Sequence, residues 1–228
     1  VVGTGLLSTG ALVIAFPLAI GITAFVHGVG PRPLARMVLA VVQLMTGIPT
    51  IVYAFVSAML LVPFVRDVFA HGTGYSILSA TLVLAVLILP TIVLMLHAQW
   101  QSMASDLRLT CASLGLTPTQ CALRVLLPLS RPGMLLAATL GFARAVGDTM
   151  IALLLSGNAA QVPHSPLDSM RALTAHIALV HSTDSQDAAY ASIFAAGLLL
   201  LVLTALLSMA VRALRHATNG ESSHAPHA

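Results

Sequence analysis

Tyr75-Ser76-Ile77-Leu78-Ser79-Ala80-Thr81-Leu82-Val83-Leu84-Ala85-Val86-Leu87-Ile88-Leu89-Pro90-Thr91-Ile92-Val93-Leu94-Met95-Leu96-His97-Ala98 holds no Asp, Glu, Lys or Arg, and none occurs anywhere from 68 to 105. A helix of about 20 apolar residues crosses about 30 Å of hydrocarbon, so this stretch is long enough to span a bilayer. Residues 1–31, 37–65 and 188–211 are equally free of charge. Over the whole chain 58% of residues are hydrophobic and 7% charged. A soluble domain carries about 25% charged residues, so that class is excluded. Disorder is excluded by the hydrophobicity, and a disulfide framework by the presence of only two cysteines. A net charge of +3 does not point to nucleic acid. The pattern implies an all-α, polytopic membrane helical bundle.

Working outward, about five spans are expected, at roughly 4–27, 34–64, 75–98, 133–156 and 190–212. Gly47 and Pro49 sit inside the second, and Pro49 removes a backbone donor, so the helix should break there. Pro17 and Pro90 should bend the first and third in the same way. All ten basic residues are arginine. With the 99–132 loop in the cytoplasm, that side holds Arg32, Arg36, Arg108, Arg124, Arg131, Arg212 and Arg215. The opposite side holds Arg66 and Arg171, with Asp67, Asp168, Asp184 and Asp187. This bias places the N-terminus outside and the C-terminus inside. Residues 1–27 lack the basic start of a signal peptide. An outside N-terminus without a leader implies a further helix upstream of Val1. The polar tail, 214–228, is expected to be disordered and cytoplasmic.

Two segments carry chemistry. In Gly141-Phe142-Ala143-Arg144-Ala145-Val146-Gly147-Asp148-Thr149-Met150 an arginine and a carboxylate stand four positions apart within a span. Each costs about 2.5–3.5 kcal/mol at the bilayer centre, and intramembrane charges commonly mark ion or substrate pathways. The two sit at i and i+4, one turn apart on the same face, so they are expected to pair and lower that cost. A purely structural ion pair is the bland alternative. The second segment is the 99–132 loop. It reads as two short helical stretches separated by Gly115, the second opening with Thr117 as N-cap, Pro118 at N1 and Gln120 at N3. Such a hairpin fits a groove on a partner protein, or simply links two spans.

Nine histidines are scattered without metal-ligand spacing, so no metal is expected. His216, His224 and His227 fall in the tail, and His176 precedes the last span. Cys111 and Cys121 share the cytoplasmic loop and are expected to be reduced thiols. No nucleophile–base pair, cofactor motif or P-loop occurs, so the chain is not expected to hydrolyse ATP itself.

Gly115, nine residues, Val125, one residue and Leu127-Pro128 resembles the coupling-loop motif of ABC importer permeases. Leu109-Thr110-Cys111 stands where that family usually has Glu-Ala-Ala. Arg144-Ala145-Val146-Gly147-Asp148-Thr149-Met150, followed by Gly157-Asn158, is similar to the phosphate importer permeases, with Asp148 where glutamate is usual. Leu44-Met45-Thr46-Gly47-Ile48-Pro49-Thr50-Ile51-Val52-Tyr53-Ala54-Phe55 and Met170-Arg171-Ala172-Leu173-Thr174-Ala175-His176-Ile177-Ala178 extend the likeness along nearly the whole chain.

The resemblance implies a multi-pass protein of the cell (inner) membrane, with six spans in a full-length member. Residues 1–213 would form the permease domain, with a coupling loop at 104–130 and a periplasmic loop at 157–189. Leu109, Gly115, Val125, Leu127 and Pro128 would couple to the ATPase, and Arg144, Asp148 and Thr149 would line the substrate path. The implied partners are a homologous permease subunit, two cytoplasmic ATPase subunits and an external phosphate-binding protein. Three other readings remain open. They are a permease for sulfate or molybdate, a secondary transporter using Arg144 and Asp148 as a proton relay, and a non-transporting signalling or scaffold subunit.

Overall fold

The first uncharged stretch forms α1 (Val2–Ala24), which runs on into a π-helical turn at Phe25–Val29. The computed structural model describes residues 1–69, 72–182 and 188–222. The end of the expected tail, with His224 and His227, and the acids Asp184 and Asp187 lie outside the described residues. After α1 come α2 (Arg32–Thr46) and α3 (Thr50–Phe69), separated by Gly47, Ile48 and Pro49. The Gly47 N–H turns back to the Leu44 carbonyl at 3.0 Å, closing α2. The expected second span at 34–64 is thereby corrected. The helix long and apolar enough to cross is α3 alone, because the donor missing at Pro49 ends α2 and α2 carries Arg32 and Arg36.

The third span begins where expected and runs much further, as α4 (Ile77–Ser113), a helix of 37 residues. No Gly or Pro lies between Thr91 and Leu114 to stop it. The short helix expected before Gly115 is therefore the end of α4. Pro17 and Pro90 sit inside α1 and α4, and neither interrupts its helix. Beyond Gly115 follow α5 (Pro118–Cys121), a π-helical turn at Ala122–Leu126, and α6 (Leu127–Leu129). The expected continuous span at 133–156 is two helices, α7 (Arg131–Val146) and α8 (Met150–Leu155). The chain ends with α9 (Leu173–Ser182) and α10 (Ala188–Ser222), so the boundary expected at 213 falls inside α10. Among the described residues four helices are long and apolar enough to cross a membrane. Counting α7 with the segment Pro118–Leu129, which meets it at a 72° bend, makes five.

The helices fall into two compact units. One comprises 1–14, 48–88 and 142–208. In it α3 packs on α8 and α8 on α9, around Leu7, Ala54, Ile88, Ile151, Leu155 and Met170, all buried. Gly10 sits against Thr81 so closely that a Cβ would lie 2.9 Å from the threonine methyl, the close approach that small residues permit between membrane helices. The other unit comprises 15–47, 89–141 and the segment from Met209. Its core is Trp100 with Ala24, Ala122 and Leu126, and Met103, Leu107 and Leu127 pack on it. The Thr119 hydroxyl donates to the Gly28 carbonyl at 2.9 Å, tying α5 to the turn after α1.

Candidate functional site

The break between α7 and α8 follows from Gly147-Asp148-Thr149. Gly147 weakens the helix, and Asp148 is a residue type that favours a cap over a helix interior. The Asp148 N–H reaches only to Ala145 at 3.3 Å, tightening the last turn of α7. Its carboxylate then accepts the Ile151 N–H at 2.8 Å and caps α8. Asp148 is 5% exposed, and its backbone carbonyl accepts the Thr174 hydroxyl at 3.0 Å. Beside it lies a cavity of about 10 Å³, lined by Thr4, Ser8, Ala145, Asp148 and Thr174 among others. That is room for one water at most.

The far end of α8 is held as firmly. Gly157 and Asn158 both take the left-handed conformation, at φ 76° and 56°. The Asn158 amide donates back to the Leu153 carbonyl at 2.7 Å, and Arg171 Nε donates to the Asn158 carbonyl at 2.9 Å. The Ser156 hydroxyl bridges the carbonyls of Ala152 and Met170 at 2.6 and 2.9 Å. A six-residue helix is thus fixed at both ends by polar groups.

Arg144 stands in the last turn of α7 with its side chain exposed. It forms no ion pair with Asp148, although the two still interact through space. Among the described residues the ion pair present is Arg66 with Asp67, at 3.2 Å. The pairing expected from i, i+4 spacing is corrected, because the helix stops between the two residues and the carboxylate is taken up as a cap. Thr149, half-buried, is the first residue of the break on the α8 side. The guanidinium is left with planar donors suited to binding an oxyanion two oxygens at a time.

The turn around Gly115 is built as the sequence suggests on its α5 side. Thr117 Oγ1 accepts the Gln120 N–H at 3.2 Å, and the Gln120 side chain accepts the Thr117 N–H at 3.0 Å. Gly115 itself has φ 73°, with open space where a Cβ would go. Leu109, Gly115 and Pro128 are exposed; Val125 and Leu127 are half-buried, with Leu127 against the Trp100 cluster. Leu109 and Leu114 are the most exposed apolar residues near the turn, at 77% and 71%.

Several of these residues carry no signal of their own in the sequence. Thr4 and Ser8 read as ordinary polar residues of a span and Thr174 as one of the loop at 157–189, and only packing gathers them at Asp148. His27 and His97 bond ring to ring at 2.9 Å across 70 positions. His176 bonds to Ser192 on α10 at 2.8 Å. Cys111 and Cys121, expected as separate reduced thiols, are joined as a disulfide. Compartment argues for the reduced form, but the reversal at Gly115 brings the sulfurs together.

Residues 19–219 match the family described as binding-protein-dependent transport system inner membrane component. The chain belongs to that family. It is 34% identical over 200 residues to a probable ABC transporter permease protein, YqgH, of Bacillus subtilis, covering 87% of this chain and 65% of that one. It is 30% identical over 224 residues to the phosphate transport system permease protein PstC of Mesorhizobium japonicum, covering 90% and 68%. With PstC 1 of Mycobacterium tuberculosis it shares 31% over 237 residues, covering 93% and 70%. The chain therefore spans about two thirds of the length of these relatives. Among solved structures, the inward-facing MetNI methionine ABC transporter superposes with TM-score 0.72 at 20% identity, over 94% of this chain and 92% of that one. This shows a shared permease fold. The family and the apolar helices together make this a multi-pass protein of the inner membrane.

Proposed function

We propose that this chain is the membrane-spanning permease subunit of an ATP-driven importer for inorganic phosphate. The observation that carries the reading is Arg144. It is an exposed guanidinium in the last turn of α7, beside the break before α8, in a family whose relatives include phosphate transport system permeases. Intramembrane arginines are costly and mark pathways. A planar, permanently charged donor set recognises a phosphate oxyanion without a metal or cofactor. The cavity beside Asp148 holds about 10 Å³, too little for phosphate. Asp148 therefore acts by setting the break that ends α7 two residues after Arg144, and Thr149 opens the polar edge of that break.

In this reading the 104–130 segment faces the cytoplasm and docks on one of two ATPase subunits through Leu109, Gly115, Val125, Leu127 and Pro128. ATP is hydrolysed by those partners. Their closure is passed through the segment to the spans, which alternate access to the two sides. A homologous permease completes the pathway, and an external phosphate-binding protein delivers the substrate to the 157–189 side.

Reconstitution of the full complex in proteoliposomes tests this. Phosphate uptake is expected to require ATP and the binding protein, to persist with a protonophore, and to exclude sulfate. Uptake driven by a proton gradient without ATP would overturn the reading.

A further inference from the structure

We propose that Cys111 and Cys121 form a reversible dithiol–disulfide site that sets the stiffness of the turn around Gly115. Their Cα atoms are 6.0 Å apart, inside the range that a disulfide bridges without backbone movement. The fold delivers them to each other. Leu116 N–H returns to the Cys111 carbonyl at 2.9 Å, Gly115 reverses the chain at φ 73°, and the Cys121 N–H bonds to the Thr117 carbonyl at 2.9 Å. One cysteine lies in the last turn of the long helix α4 and the other ends α5, so a bond between them closes the turn across its base.

Both cysteines are 4% exposed on the surface. Both also border a cavity of about 660 Å³, which is lined as well by His27, Arg32, Arg36 and His97. The cavity gives small reagents a route to sulfurs that bulk protein cannot reach. Guanidinium groups of Arg32 and Arg36 along it attract an anionic thiol peptide. The exchange balances with a low-molecular-weight disulfide as oxidant. One cysteine thiolate attacks a sulfur of that disulfide and expels one small thiolate, leaving a mixed disulfide. The second cysteine thiolate attacks the protein sulfur of the mixed bond and expels the other. Two protein thiols are oxidised, one small disulfide is reduced to two thiols, and the protons given up by the protein thiols are taken up by the two expelled thiolates.

In a reducing cytosol the pair rests as thiols, so the turn is held by noncovalent contacts, among them its backbone hydrogen bonds, the Thr117–Gln120 cap and the Thr119–Gly28 bond. Oxidation adds a covalent closure. The assignment of this turn to ATPase coupling rests on the proposed function; the redox chemistry does not.

The test uses the assembled complex in glutathione buffers of stepped reduced-to-oxidised ratio. Free thiols are trapped by alkylation and counted by mass, and amide exchange is followed over 112–120. Both thiols are expected to disappear together in one two-electron transition, and exchange in the oxidised complex to slow at least tenfold. C111S should leave Cys121 without a partner at every ratio, and the double variant C111S/C121S should show exchange that ignores the buffer. Independent titration of the two cysteines, a bond that survives the most reducing buffer, or equal exchange in both states would overturn the proposal. None of these readouts depends on ATP or phosphate, so failure of the transport reading would register separately.

Discussion

The Asp148 carboxylate accepts the backbone N–H of Ile151 at 2.8 Å, and this bond, rather than an ion pair with Arg144, is what the buried acid does in the fold. One hydrogen bond thus decides two things. It starts α8 in the middle of what reads as a single span, and it leaves Arg144 at the end of α7 with its charge exposed.

Removal of the cap should therefore cost stability without any contribution from Arg144. Asp148→Ala is expected to destabilise the complex by about 0.5–2 kcal/mol, the usual cost of a lost N-cap, while Asp148→Asn keeps an acceptor and loses less. A double-mutant cycle with Arg144→Ala, read on thermal stability in detergent, should give a coupling energy below about 0.5 kcal/mol. A buried ion pair would instead lose about 3–5 kcal/mol on removal of one partner.

Arg144→Ala should separate transport from assembly. An exposed side chain with no ion pair among the described residues supports little packing, so subunit yield is expected to match the parent. Phosphate uptake should fall about 10- to 100-fold, corresponding to about 1.5–3 kcal/mol for hydrogen bonds to a charged group. Lysine at 144 should restore little, because it lacks the planar fork. Radiolabelled phosphate uptake, normalised to assembled complex, makes the comparison.

At Gly115 the constraint is conformational and not steric. With open space around the missing Cβ and φ at 73°, Gly115→Val should cost about 1–2 kcal/mol from backbone strain, and Gly115→Asn appreciably less. Under the coupling reading, the valine variant hydrolyses ATP with a reduced yield of phosphate transported per ATP. Paired ATPase and uptake rates on one preparation measure that ratio.

The loop before α9 should respond to acid. The His164 and Ser165 N–H groups both donate to Asp168 at 2.8 Å, and they hold its carboxyl below the ordinary carboxylate range. A depressed folded value contributes stability above the unfolded value of about 3.9, and this is lost as pH falls through the lower folded value. Amide exchange at His164 and Ser165, corrected for intrinsic rate, should therefore stay slow at neutral pH and accelerate only below the ordinary range. Asp168→Asn should show the faster exchange already at pH 7.

What the sequence determined by itself is local in origin. The uncharged runs specify membrane helices because about 20 apolar residues are both necessary and sufficient to cross hydrocarbon. Pro49 ends α2 because it has no N–H to give, and Thr117, Pro118 and Gln120 start α5 because a cap needs only residues three apart. The break at Gly147-Asp148 was also readable as a capping signal, though the same Asp148 fits the i, i+4 pairing rule. Which rule wins depends on whether the helix continues, and packing against Thr174 and the loop from Ser156 to Arg171 decides that. Tertiary structure alone placed Thr4 and Ser8 at Asp148 and His27 on His97. The physical reason is distance along the chain. Spacing rules describe neighbours within a turn or a strand, whereas these contacts form only after helices far apart in sequence have buried their faces against one another.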